Sequence, residues 1–253
     1  MQENNQYDYG SLEWFKKEYN KVNEDPWGLS WRPSQMVRYA RILALLDHIA
    51  FQPLNILDIG CATGDFTNLL KIKYGGTSSV IGVDFIEDAI KRAKNKYPQL
   101  QCRMGSIFDV GGEYSGQMDL VTCLELLYYI EKNKQINALT SIKEALRPGG
   151  YVMFSSFISK PPYFSLCELC ELVSTKFIVV ETKTIHVKFL SILERAMMKI
   201  LKHVGGIEYL ENTGVIGGNI TSFPVRIADY SEKSFSHLGN ISLTHALVLG
   251  KSN

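Results

Sequence analysis

With 253 residues, 45% of them hydrophobic and 21% charged, the chain is long enough to bury a sizeable core and ordinary in balance for a globular protein. A net charge of +1 gives no reason to expect a polyanionic partner, so nucleic acid is set aside. Five cysteines, an odd number, argue against a disulfide framework, and neither end carries an apolar run of signal-peptide or membrane-span length, so the expectation is a cytoplasmic enzyme.

In chain order, 11–21 and 34–50 read as helices, separated by the turn-rich "EDPWGLSWRP". From residue 54, candidate strands at 54–59, 79–84, 100–104, 118–123 and 150–157 alternate with helical patterns at 64–72, 86–96, 133–146 and 163–174. That alternation predicts a parallel sheet with helices on both faces. Residues 176–190 and 240–250 are β-rich and predict a late antiparallel pair at the sheet edge. The expected organisation is one domain: an N-terminal helical cap at 1–50, a core at 51–188, an insertion at 189–239 that caps the substrate, and a final strand at 240–253.

The chemistry starts at "LNILDIGCATGDFTNLL", residues 54–70. An apolar strand ends in Asp58, and Gly60-Cys61-Ala62-Thr63-Gly64 leads into a helix. Such a turn brings a helix N-terminus and backbone N–H groups beside small residues, so a ligand can approach the main chain closely. The spacing is Gly60-x-Ala62-x-Gly64 without the third glycine of a dinucleotide site, which fits a ligand without pyrophosphate. Asp84 ends the second strand about 20 residues past Gly64, the offset at which an acid meets ribose hydroxyls. Phe85 follows it and can cover an adenine face, while Ser106 and Ile107 after the third strand are placed for the adenine edge. Cys123, at the end of the fourth strand, completes the expected lining.

This series resembles the class I S-adenosylmethionine-dependent methyltransferases over roughly residues 50–160. "EDPWGL", "DIGCATGDFTNLL", "LELLYYI" and "LRPGGYVMFSS" are similar, in that order, to the segments of the NodS-like nodulation N-methyltransferases. The resemblance implies an α/β fold with a seven-stranded, mostly parallel, Rossmann-like sheet and an antiparallel last strand. It also implies S-adenosylmethionine as methyl donor, held by Gly60, Cys61, Ala62 and Gly64 at the methionine portion, Asp84 at the ribose and Ser106–Ile107 at the adenine. Trp27 would cover the cofactor, and Arg38 would pair with the methionine carboxylate as a bidentate fork. Ala62 stands where a middle glycine is commonest and Ser106 where many such enzymes have an acid.

A methyl group on a positive sulfur is already activated, so positioning carries most of the catalysis. An amine attacks unaided, whereas a hydroxyl wants a general base. Glu125, Tyr128 and Tyr129 in "LELLYYI" are the candidate catalytic residues, with Glu125 expected to orient the cofactor end. Tyrosine is a poor base near neutrality, which tilts the expectation towards N-methylation over O-methylation, on an amino sugar, glycan or other small molecule. The competing readings are a nicotinamide-dependent oxidoreductase and a methyltransferase-like scaffold without catalysis.

Other features carry less. Cys167 and Cys170 form a C-x-x-C inside a helical pattern with no second ligand pair, and no metal site is expected. His186 and His203 read as structural. The helix at 189–204 places Phe189, Ile192, Leu193, Ala196, Met197, Ile200, Leu201 and Val204 on one face, opposite Arg195, Lys199 and Lys202. It is expected to pack over the active-site mouth, with contact to a membrane surface as the lesser alternative. Asn219-Ile220-Thr221 matches a glycosylation acceptor and is discarded, since nothing suggests secretion.

Overall fold

Strand β1 (Asn55–Ile59) alternates its apolar residues between two cores: Ile56 packs on one face of the sheet, Leu57 and Ile59 on the other. A computed structural model of the chain describes residues 9–21, 25–30, 32–203, 232, 234, 236 and 243–253. The sheet is completed by β2 (Ser79–Asp84), β3 (Gln101–Met104), β4 (Met118–Leu124), β5 (Leu146–Phe157), β6 (Ile178–Ile185) and β7 (His245–Lys251). Strand order is β3-β2-β1-β4-β5-β7-β6, parallel throughout except for β7, which runs antiparallel to both β5 and β6. The expected seven-stranded sheet is present, with the antiparallel pair at its edge.

The helices are α1 (Leu12–Lys21), α2 (Pro33–Leu46), α3 (Asp65–Tyr74), α4 (Glu87–Lys96), α5 (Val110–Tyr114), α6 (Gln135–Ala145), α7 (Leu166–Ser174) and α8 (Lys188–His203). Phe66, Leu70 and Tyr74 of α3 recur every four residues and join Met36, Ile42 and Leu46 of α2 on one face of the sheet. Ala138, Leu139, Ile142 and Ala145 of α6 and Leu169 and Val173 of α7 cover the other. The chain leaves β1 for β2 and β3 on one side, then returns to β4 on the other. A crevice therefore opens beyond the carboxyl ends of β1 and β4, where doubly wound sheets bind ligands.

Some boundaries differ from expectation. β5 starts at Leu146 because Met118 pairs with Leu146 before an irregularity shifts the register to Leu120–Tyr151, so the Pro148-Gly149-Gly150 turn lies inside the strand. α2 stops at Leu46, and the short α5 went unread because Gly111 and Gly112 mask its pattern. The largest difference lies in α8. Phe189, Ile192 and Leu193 are exposed, whereas Glu194 is buried, accepting from the backbone N–H of Ser34 at 2.7 Å and from its hydroxyl at 2.5 Å. A carboxylate thus caps the N-terminus of α2, and α8 turns this acid inward while Phe189, Ile192 and Leu193 face outward. The side chains of Arg195, Met197, Lys199, Ile200, Leu201, Lys202 and His203, with Val204, Asn219–Thr221 and most of the expected 189–239 insertion, lie outside the described residues. Among the described residues no helix is long and apolar enough to cross a membrane.

Gly82, mid-strand in β2, positions the turn after β1. A Cβ there would stand 3.0 Å from the Cys61 sulfur and 3.1 Å from that of Cys102. Gly82→Val should lower the urea midpoint by about 1–3 kcal/mol of stability through overpacking. Gly112→Ala, where an added Cβ meets nothing within 4 Å, is the control expected to keep full stability.

Candidate active site

The crevice holds a cavity of about 550 Å³, within the range of roughly 300–1,000 Å³ usual for small-ligand sites. Its floor is the turn after β1. Gly60 (φ 73°) and Ala62 (φ 48°) both have left-handed backbone, and Ala62 is one of the non-glycine residues to do so. The N–H groups of Gly60 and Cys61 both donate to Val83 O, at 2.8 and 3.1 Å, and that of Ala62 donates to Asp84 Oδ2 at 2.9 Å. These amides hold the turn itself, so what it offers a ligand is a surface of small residues. A Cβ on Gly60 would stand 3.3 Å from Leu126. Gly64 plays another part: its added Cβ would meet Ala93 at 3.2 Å, so it lets α3 sit close to α4 and does not line the cavity.

Asp84 is buried beneath the cavity, with Oδ1 accepting from the Ile86 N–H at 2.9 Å. Burial pushes its carboxyl up to about 6, against the backbone N–H bonds that favour the ion. Asp58 also lines the cavity, but its oxygens accept from Thr67 and Thr122 hydroxyls at 2.6 Å each, tying β1 to α3 and β4. Desolvation raises this group too, to about 6. The folded chain thus keeps the Asp58 proton to higher pH than the unfolded chain, whose value is the ordinary 3.8. Folded molecules bind more protons between those values, so stability declines as pH rises through the window. Asp58→Asn should flatten that decline by about 3 kcal/mol between about pH 4 and about pH 7, as urea unfolding at each pH would measure.

At the other end stands Glu125, at the tip of β4, with φ 55°. Its Oε1 is 2.9 Å from Arg38 Nη1 and accepts from the Ser155 hydroxyl at 2.8 Å. Oε2 accepts from the Phe157 N–H at 2.9 Å and the Tyr128 hydroxyl at 3.2 Å. Burial alone would raise this carboxyl, but the Arg38 guanidinium and the hydrogen bonds from Ser155 and Phe157 hold it below its usual value. Glu125 is an anchored anion and not a free base. Arg38, expected to reach for a ligand, gives Nη1 to Glu125, and its Nε is buried without a partner. Burial pushes the Tyr128 and Tyr129 hydroxyls up, which removes them as bases at neutral pH.

Aromatic rings close the cavity. Phe15 and Tyr19 of α1 lie over Phe85 and Trp27: Phe15 meets Phe85 edge-on at 5.4 Å, and Tyr19 meets Trp27 at 5.0 Å. Tyr129 packs against Phe15 at 4.9 Å and Tyr9 at 5.1 Å, and Tyr9 and Tyr163 share a hydroxyl contact of 3.1 Å. Of the residues expected at the site, Trp27, Arg38, Asp58, Gly60, Cys61, Ala62, Asp84, Phe85, Glu125, Tyr128 and Tyr129 line this one cavity. Cys123 is buried in the core because its strand position faces inward, and Ile107 is buried in the same core. Ser106 does not line the cavity either; its hydroxyl accepts from the Phe108 N–H at 3.2 Å, a local turn bond.

Residues 56–150 match the model of the methyltransferase domain family. Nodulation protein S of Rhizobium tropici is 29% identical over 136 residues, 53% of this chain and 55% of that protein. Ubiquinone biosynthesis O-methyltransferase of Bordetella avium is 27% identical over 120 residues, 46% of this chain and 47% of that protein. The crystal structure of the N-methyltransferase NodS from Bradyrhizobium japonicum WM9, in complex with S-adenosyl-L-homocysteine, aligns with a TM-score of 0.59 at 21% identity, over 96% of this chain and 97% of that one. The chain has the class I methyltransferase fold. It spans about half the length of the curated relatives it matches.

On this methyltransferase fold the sequence missed two contributors. Gln35 lines the cavity with a buried, unpartnered Nε2. His245, the first residue of β7, lies opposite Phe157 in the β5 pairing and reaches the same cavity. Its place depends on which strand inserts between β5 and β6, and no local pattern carries that. His186 bonds to the Thr184 hydroxyl through Nε2 at 3.0 Å, away from the cavity. Cys167 contacts Glu171 on α7, and among the described residues no cluster of three metal-ligating side chains occurs.

Proposed function

We propose that the chain transfers a methyl group from S-adenosylmethionine to an amine or hydroxyl of a small molecule, with amino sugars and glycans as candidate acceptors. The observation that carries this reading is the buried Asp84 carboxylate beside a turn of small residues, facing a 550 Å³ cavity at the switch point of the sheet. Asp84 accepts from the backbone N–H groups of Ala62, Ile86 and Phe85, and the lone-pair capacity it keeps would accept from a ribose hydroxyl. Gly60 and Ala62 would let the methionine portion lie against the main chain, with Phe85, Trp27 and Ile86 around the base. Gln35 Nε2 and Arg38 Nε, buried without partners, are donors suited to a carboxylate. When bound, the cofactor supplies a methyl group already activated by a positive sulfur. The chain's task is to seat the acceptor in line and keep water out, and the ring lining from Phe15 to Tyr163 serves both ends.

The names of the relatives, one acting on nitrogen and the other on oxygen, support methyl transfer and leave the acceptor atom open. Calorimetric titration with S-adenosylhomocysteine tests the reading, with NAD as the contrast. Binding of the first alone is expected, and binding of NAD alone would overturn it. A labelled-methyl assay across amino sugars, glycans, small amines and alcohols then identifies the acceptor.

A further inference from the structure

His245 lines the cavity and makes no hydrogen bond through either ring nitrogen among the described residues. Its Nδ1 is sealed from solvent without a partner, and its Nε2 stops 3.9 Å from Glu125 Oε2, outside hydrogen-bond reach. The Phe157 ring meets it edge-on at 5.4 Å, and Phe157 in turn meets Tyr163 at 5.0 Å, so the imidazole is held in an aromatic corner. Burial keeps the ring neutral, with its value lowered to about 4, and a neutral ring carries one hydrogen. On Nδ1 that hydrogen would be a buried donor with no acceptor. On Nε2 it sits on the nitrogen that comes within 3.9 Å of a carboxylate, where its partial positive charge is favoured. Both considerations assign it to Nε2.

The unused Nε2–H requires a ligand atom that accepts. A carboxylate is disfavoured there, because the ionised Glu125 stands 3.9 Å away. An amine nitrogen has one lone pair, and spending it on His245 would remove it from reaction. A hydroxyl satisfies every neighbour: its oxygen accepts from His245, and its hydrogen can pass to Tyr128 Oη, whose own hydrogen is already given to Glu125 Oε2 at 3.2 Å. We propose that His245, Tyr128 and Glu125 form a hydroxyl-recognition subsite for the acceptor, with His245 Nε2–H as the donor that selects it. The left-handed backbone of Glu125, φ 55°, is what brings its carboxylate to this corner. The proposal rests on the methyl-transfer reading for the identity of the ligand, but the assignment of the proton does not.

Nitrogen-15 NMR of histidine-labelled protein, with the His245 signals assigned by their loss in His245→Gln, reads the tautomer directly. A proton on Nε2 is expected in the presence and absence of S-adenosylhomocysteine, and a proton on Nδ1 would overturn the subsite. With any acceptor found in the labelled-methyl assay, His245→Leu should raise KM at least about 10-fold, the deoxy analogue should lose as much on the wild type, and His245→Gln should recover part of the loss through its amide N–H. An unchanged KM in His245→Leu would also overturn the proposal. S-adenosylhomocysteine affinity should stay at the wild-type value in both variants. Failure of the wild type itself to bind that nucleoside would strike the methyl-transfer reading and leave the tautomer result standing.

Discussion

Asp84→Ala should weaken S-adenosylhomocysteine binding by about 3 kcal/mol or more, over 100-fold, in a calorimetric titration. Direct hydrogen bonds from ligand hydroxyls to a carboxylate account for about 1.5–3 kcal/mol. The remainder comes from the turn. Asp84 accepts the N–H groups of Ala62 and Ile86, one on each oxygen, and so fixes the left-handed Ala62 against the end of β2. Removing the carboxylate orphans both amides and frees the surface that meets the ligand. Asp84→Asn, which can satisfy one amide through its carbonyl, should lie between wild type and alanine. Wild-type affinity in Asp84→Ala would remove this residue from the site and with it the main support for a nucleoside ligand.

Arg38→Ala should cost about 3–5 kcal/mol of folding stability in urea denaturation, because it leaves the Glu125 carboxylate buried without its cation. The pair is sealed: the two side chains are 7% and 15% exposed. The larger part of the loss is the stranded charge, so Arg38→Ala combined with Glu125→Gln should be more stable than Arg38→Ala alone. A double variant no better than the single one would show that Arg38 acts through its packing against Tyr39, whose ring centroid is 5.9 Å from the guanidinium carbon.

Much of the architecture was legible because strands buried on both faces are plain in sequence. Apolar runs at 54–59, 79–84 and 118–123 became β1, β2 and β4 to within a residue, and the acid and small residues at their ends fell at one cavity. Those signals are local: strand, turn and helix within seventeen residues. What escaped depends on chain-distant juxtaposition. Arg38 and Glu125 meet across 87 positions of sequence, and His245 reaches Glu125 only because β7 inserts between β5 and β6. Periodicity also misled in α8, where the apolar stripe of Phe189, Ile192 and Leu193 stays exposed. One carboxylate, Glu194, meets the N-terminus of α2, so the acid and not these apolar residues faces inward there. Ser106 and Ile107 were placed by analogy of position, and the geometry gives them to a turn and to the core.

The roof made by α1 has a kinetic consequence. Phe15 and Tyr19 lie across the Asp84 end of the cavity, and the helix is pinned from outside by the Arg92 guanidinium on Tyr19 O at 3.0 Å. Lys188, Ser191 and Leu243 border the opposite end. A nucleoside seated at Asp84 would lie beneath this roof, and an acceptor would occupy the end bordered by α8. Turnover should follow a compulsory order, with donor on first and its demethylated product off last, and cutting the Arg92 tether should hasten that final departure before it alters anything else.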